Sequence, residues 1–206
     1  MSRVFISPLC AWTPESENLA PDASPKLSFT TPLFRRRLSQ LTKMTVQVVH
    51  DCLEKTHCGD IKQVFASFRG EINREFSINE QIITDENILP ASFSLSVFNA
   101  PIAEATLALS LKSGYSVITP SKENFASALL AACASVLCKR EKSVMFIYAD
   151  EYVREEYGDL RPKDNKALSF AFVITSEKTE GYTELDTSSL DIHHSITPQD
   201  FLLKYS

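Results

Sequence analysis

The chain has 206 residues, 44% of them apolar and 23% charged, with 21 Lys and Arg against 26 Asp and Glu for a formal net charge of −5. That length and balance admit a globular domain with a packed core and lack the overall basic footprint of a nucleic-acid binder. No apolar run approaches the roughly 20 residues of a bilayer span, and the five scattered glycines exclude Rossmann and P-loop nucleotide cradles.

Residues 3–7 read as a short apolar strand, too short to be a signal peptide. Residues 13–32, rich in Pro, Ser and Thr, predict an irregular arm. Arg35, Arg36 and Arg37 precede Ser39, a candidate N-cap. Leu41, Met44, Val48, Val49, Cys52 and Leu53 then form a helical stripe to about residue 56, closed by a polar turn over 56–60. Residues 61–68 predict a buried strand, and 71–84 a helix carrying Ile72, Phe76 and Ile82.

Residues 92–99 alternate small polar with large apolar side chains, which predicts a strand by period two. The Ala-rich stretch 100–111 predicts a helix, with Lys112, Ser113 and Gly114 as its stop. Residues 115–119 predict a short strand. Pro120 and Ser121 open an Ala- and Leu-rich helix over 122–138. Residues 144–149 are wholly apolar, as a central strand covered on both faces requires. Residues 168–175 predict a further strand. The segment 176–195 is polar, and Phe201, Leu202 and Leu203 form a weak terminal helix or strand. Strands alternating with helices predict a layered α/β fold with a mostly parallel sheet.

The five cysteines, Cys10, Cys52, Cys58, Cys133 and Cys138, are odd in number and lack a CxxC. They predict reduced thiols in the cytoplasm. His50, Cys52, His57 and Cys58 are the one metal-like grouping and match no zinc spacing. A helix end with buried thiols is the expectation there, and a solvated loop is expected at His193 and His194. No metal and no cofactor is expected.

Four segments occur in a telling order: Arg-Arg-Arg-Leu-Ser (35–39), Phe-Arg-Gly-Glu (68–71), Ser-Phe-Ser-Leu-Ser-Val-Phe-Asn-Ala (92–100) and, after a strand, helix and strand, Tyr-Ala-Asp-Glu (148–151). The set resembles the N-terminal half of the β-ketoacyl synthases of fatty acid and polyketide synthesis. More closely, it resembles the short β-ketoacyl synthase-like chain length factors of aryl polyene clusters. The resemblance covers most of 1–151 and continues through 168–175. It implies a thiolase-like fold, N-terminal half only: a mixed, mostly parallel five-stranded sheet flanked by helices. It also implies one domain over 1–206, with 13–32 as an irregular arm and 176–206 as a variable tail.

In that family the nucleophilic cysteine opens a buried helix, and two histidines come from the second half. Counting back from Glu151 puts Glu123 at the cysteine position, within about one residue, and Lys122 and Asn124 are not cysteine either. A carboxylate does not form the thioester that a thiolate forms. Glu123 would cap the helix or shape an acyl tunnel. Cys133 and Cys138 fall in the helix middle and end, where no helix N-terminus activates a thiol.

The resemblance therefore implies a non-catalytic subunit that pairs with a catalytic β-ketoacyl synthase, with the acyl carrier protein engaged only indirectly. Phe93, Leu95, Val97 and Phe98 are the expected tunnel floor, against the alternative of ordinary core. Asn99, Tyr115, Val117 and Thr119 are the expected partner contacts. A half-size fold is also expected to leave an apolar surface that a large interface would cover. Two other readings stay open: an autonomous thiolase-like acyltransferase with a nonstandard nucleophile, and a pure scaffold for the synthase.

Overall fold

A computed structural model describes residues 3–16, 23–85, 87–120, 124–190 and 196–206. The two most apolar segments form the centre of its sheet. β5 (Ser143–Asp150) and β6 (Leu168–Thr175) pair antiparallel over their full length, from Ser143 opposite Thr175 to Asp150 opposite Leu168. β3 (Gln63–Ala66) lies parallel to β5 on one side and to β4 (Tyr115–Ile118) on the other. β1 (Val4–Ile6) and β2 (Cys10–Trp12) both pair antiparallel with β6, and β7 (Thr183–Leu185) closes against β1. The order is β4-β3-β5-β6-β1-β7, with β2 on β6.

The sheet is mixed, as expected, and β1 to β5 run one way while β6 and β7 oppose them. It has seven strands, not five. Of the six strands read from the sequence, five are observed, as β1, β3, β4, β5 and β6. The two additions, β2 and β7, span three residues each, too few for a period-two pattern to register.

Alternate residues of β5 and β6 serve two cores. Val144, Phe146 and Tyr148 join Phe170 and Phe172 on the face covered by α6 (Phe125–Leu137) and α7 (Pro198–Tyr205). Met145, Ile147 and Ala149 join Ala171 and Val173 on the other, under α2 (Gln40–Thr56) and α5 (Ala100–Ala108). Phe201 of α7 is fully buried, with its ring centroid 5.3 Å from Phe125 and 5.4 Å from Phe172. The chain's own terminal helix thus seals aromatic sheet surface, so on this part of the face the expected bare patch does not occur.

Ser39 caps α2 as predicted, accepting from Thr42 N at 3.0 Å, and His57 ends the helix in the left-handed region at φ 49°. α1 (Pro32–Arg36) precedes it, and α3 (Ile72–Asp85) matches its predicted helix. The second half of the arm is anchored on α1 and α2: Leu27 is fully buried among α2 side chains, Lys43 Nζ of α2 donates to Ser24 Oγ at 3.0 Å, and the Arg35 guanidinium of α1 donates to the carbonyls of Leu27 and Thr30.

Residues 92–99 are not a strand. Pro90 opens a short helix, α4 (Pro90–Ser94), and turns follow. Pro fixes φ for a first helical turn, and Val97 falls in the turns beyond the helix. α5 stops at Ala108, ahead of the Lys112–Gly114 signal, because Ser110 already takes a left-handed φ of 56°. α6 starts at Phe125, three residues later than expected, with Asn124 as its cap. Glu123, like His193 and His194, lies outside the described residues.

Candidate functional site

Parallel strands present ligands at their carboxyl ends. Here β3 delivers Ser67 and β5 delivers Asp150 to the same spot. The Asp150 carboxylate is buried and ringed by donors. Its Oδ1 accepts from Ser67 Oγ at 2.7 Å and Arg69 N at 3.1 Å. Its Oδ2 accepts from Tyr148 Oη at 2.6 Å and Phe68 N at 3.0 Å. Arg69 Nη1 lies 3.8 Å away. Burial pushes the Asp150 carboxyl above the ordinary carboxylate range, and the hydroxyl, backbone and guanidinium donors pull the other way. Asp150, Tyr148, Phe68 and Arg69 line a cavity of about 340 Å³ together with Lys163 and Ile196.

Glu71 and Glu151 lie next in sequence to this cluster. Glu71 is fully buried and accepts from Ser39 Oγ at 2.6 Å, Thr42 Oγ1 at 2.7 Å and Arg74 Nε at 3.0 Å. Burial, and then the Glu71 charge, push the Glu151 carboxyl up to about 7. Asn73 locks α3 onto the segment after β5. Its Nδ2 donates to Tyr152 O at 2.6 Å, and its Oδ1 accepts from Arg154 N at 3.2 Å. The cluster joins the 68–71 and 148–151 segments singled out in the sequence. Their carboxylates had not been read as a site, although an Asp-Glu pair ending a wholly apolar strand was a usable signal.

The predicted site residues divide. Phe98 is half-buried against Gly70, whose φ of +59° sharpens the turn after β3. Asn99 Nδ2 donates to Tyr115 Oη at 3.0 Å, joining that segment to β4. Phe93 is 59% exposed, Val97 is exposed and Leu95 half-buried, and none of them lines the 340 Å³ cavity. The tunnel-floor set is thus split between packing and surface.

β4 is an edge. The carbonyls of Gly114 and Ile118 accept from Gln63 N and Ser67 N of the β3 segment. By parity, Tyr115, Val117 and Thr119 turn their backbone groups outward. Thr119 lies just past the strand end and is exposed.

A Cβ at Gly70 would sit 2.6 Å from Phe98 Cδ2. Gly70→Ala is therefore expected to cost about 2 kcal/mol through strain at positive φ and displacement of Phe98, read by urea denaturation. An unchanged midpoint would show that the contact is slack.

Cys133 is buried in α6, where burial pushes its thiol up to about 12, and Cys138 is exposed beyond the helix. A thiol held protonated by burial, as at Cys133, is a poor nucleophile. His50 stacks on Phe29 with ring centroids 3.7 Å apart, and Cys52 is buried. Among the described residues no group of three or more His, Cys, Asp or Glu could hold a metal ion, and no helix is long and apolar enough to cross a membrane.

The fold is the thiolase-like fold of the ketosynthases. It is similar to a structure of the ketosynthase ApeO in complex with its chain length factor ApeC from Xenorhabdus doucetiae (TM-score 0.67, 19% identity, 84% of this chain and 79% of that one). It is also similar to the ishigamide ketosynthase/chain length factor (TM-score 0.66, 11% identity, 86% and 63%). A third likeness is to AntDE:AntF, a type II polyketide synthase acyl-carrier protein in complex with its ketosynthase (TM-score 0.64, 10% identity, 84% and 63%). The chain thus spans most of the first of these and under two thirds of the other two. No curated protein matches the sequence. Residues 10–200 match the family described as β-ketoacyl synthase, N-terminal domain. The chain belongs to that family.

Proposed function

We propose that this protein is a non-catalytic chain length factor. It pairs in the cytoplasm with a catalytic β-ketoacyl-ACP synthase and shapes that enzyme's acyl tunnel during aryl polyene chain elongation. The observation that carries the reading is the chemistry at the start of α6. Asn124 caps this helix, its Oδ1 accepting from Ser127 N at 3.1 Å, and the one thiol within the helix is buried and protonated. The Asn124 amide offers no thiol at the helix start for acyl transfer. The likeness to a ketosynthase in complex with its chain length factor supports the pairing. The free cysteines support a reducing compartment.

On this reading β4 is the contact strand. Its outward backbone at Tyr115, Val117 and Thr119 pairs with the synthase, and the Asn99–Tyr115 hydrogen bond fixes the 92–99 ridge beside it. Phe93 and Val97, exposed on that ridge, supply the steric stop. Leu95 and Phe98 support the ridge from beneath. The acyl carrier protein docks on the catalytic partner, so this chain meets it only indirectly.

The test is a pair of variants in the co-expressed complex. Val117→Pro removes an outward N–H while sparing the bonds to β3, and is expected to weaken the complex at least about tenfold. Phe93→Ala is expected to leave the complex intact and lengthen its products, read by mass spectrometry of the acyl chains. Unchanged product length in an intact complex would favour a pure scaffold. Acyl labelling of the isolated chain would favour an autonomous enzyme.

A further inference from the structure

A second cavity, of about 740 Å³, opens on the β6 side of the sheet, three strands from β4. It lies where the end of β2, the segment leading into β6 and α7 meet. Its walls are largely apolar: Pro14, Tyr152, Ala167, Leu168, Leu202 and Leu203. Leu203 is 81% exposed and Tyr152 41%, so much of their apolar surface is left for an occupant. Among the described residues, the charged side chains lining it are Glu15, Asp164 and Asp200 against Lys166. The cavity borders the strand-end cavity through Asn165 and Leu168, but none of the Asp150 donors lines it.

Local hydrogen bonds hold each wall in place. The Asn165 amide brackets Val153, accepting from its N–H and donating to its carbonyl, both at 2.8 Å, and so fixes the segment before β6. Ser16 closes the turn after β2: its Oγ accepts from Thr13 N, and its N–H donates to Thr13 O, both at 2.9 Å. Thr197 caps α7, its Oγ1 accepting from Asp200 N at 3.1 Å, and buried Phe201 anchors that helix on the sheet. The cavity is therefore formed before any ligand arrives, as binding pockets usually are.

We propose that this cavity binds a small amphiphilic cation: an apolar or aromatic body carrying an ammonium group. Its volume falls in the range of roughly 300–1,000 Å³ that accommodates small organic ligands. The leucine walls take the apolar body. The Tyr152 ring and the surplus of carboxylates favour a positive group at the opening. Lys166 Nζ leans towards Asp164, at 3.9 Å, which leaves the Glu15 and Asp200 charges to the ligand. An anion of the same shape meets three carboxylates and one ammonium, and is disfavoured. The site lies away from β4 and does not depend on the proposed pairing with a synthase.

The test is equilibrium dialysis of the full chain against phenethylammonium and against hydrocinnamate, an anion of similar size. The cation should bind one to one with a Kd of about 100 µM, and the anion at least about tenfold more weakly. Leu203→Arg sets a positive charge on the wall at an exposed position that the fold tolerates, and should weaken the cation at least about tenfold. Glu15→Gln combined with Asp164→Asn should narrow the gap between the two probes. No saturable uptake of the cation, equal uptake of the two probes, or uptake unchanged by Leu203→Arg would each overturn the proposal.

Discussion

Asp150→Asn is expected to destabilise the fold by about 3 kcal/mol, because either amide orientation leaves a buried backbone N–H without an acceptor. Oδ1 takes Ser67 Oγ and Arg69 N, and Oδ2 takes Tyr148 Oη and Phe68 N. Each oxygen serves one hydroxyl and one backbone N–H. A hydroxyl can rotate and accept from the new NH2 group, but a backbone N–H only donates. The Arg69 guanidinium, largely buried, also loses its counter-charge. Tyr148→Phe removes a single donor and is expected to cost only about 1 kcal/mol. Urea denaturation of the two variants separates the cases, and equal losses would contradict the four-donor account of Asp150.

Glu151→Gln is expected to stabilise the protein, and only at neutral to alkaline pH. The carboxyl is raised to about 7 in the folded chain, against about 4.3 in an unfolded one. Between those values the folded state holds a proton that the unfolded state has released. Stability is therefore fully present below about pH 4.3 and falls as pH rises towards 7, by on the order of 3 kcal/mol for a shift of this size. The amide carries no charge beside Glu71 and can still accept from Asn73 N. The variant should match the parent near pH 4 and exceed it by roughly 2–3 kcal/mol at pH 8. Parallel stability curves from pH 4 to pH 8 would show that the Glu151 carboxyl titrates alike in the folded and unfolded chain.

Most of the scaffold was legible because its signals are long. The apolar runs at 144–149 and 168–175 are central strands, and the Ser39 cap with the stripe behind it is α2. The failures have local causes. At 92–99 a period-two pattern was overridden by Pro90 and by the absence of a partner strand, so a short helix formed. β2 and β7 depend on neighbours far away in the chain, and three residues carry no period of their own.

The site was legible in part. Asn99 and Tyr115 were named separately and prove to be bonded, and Phe98 was named for a tunnel and proves to pack on Gly70. The carboxylate cluster of Glu71, Asp150 and Glu151 is assembled by the crossover from β3 to β5. Nothing in the local sequence states that residues eighty positions apart will meet.

The most direct test of the central claim is the mass of the species formed when this chain is co-expressed with a catalytic β-ketoacyl-ACP synthase of the same organism. Size-exclusion chromatography with light scattering should give one peak containing both chains in equal ratio. A chain that elutes alone as a stable monomer, with the synthase in a separate peak, would contradict the account.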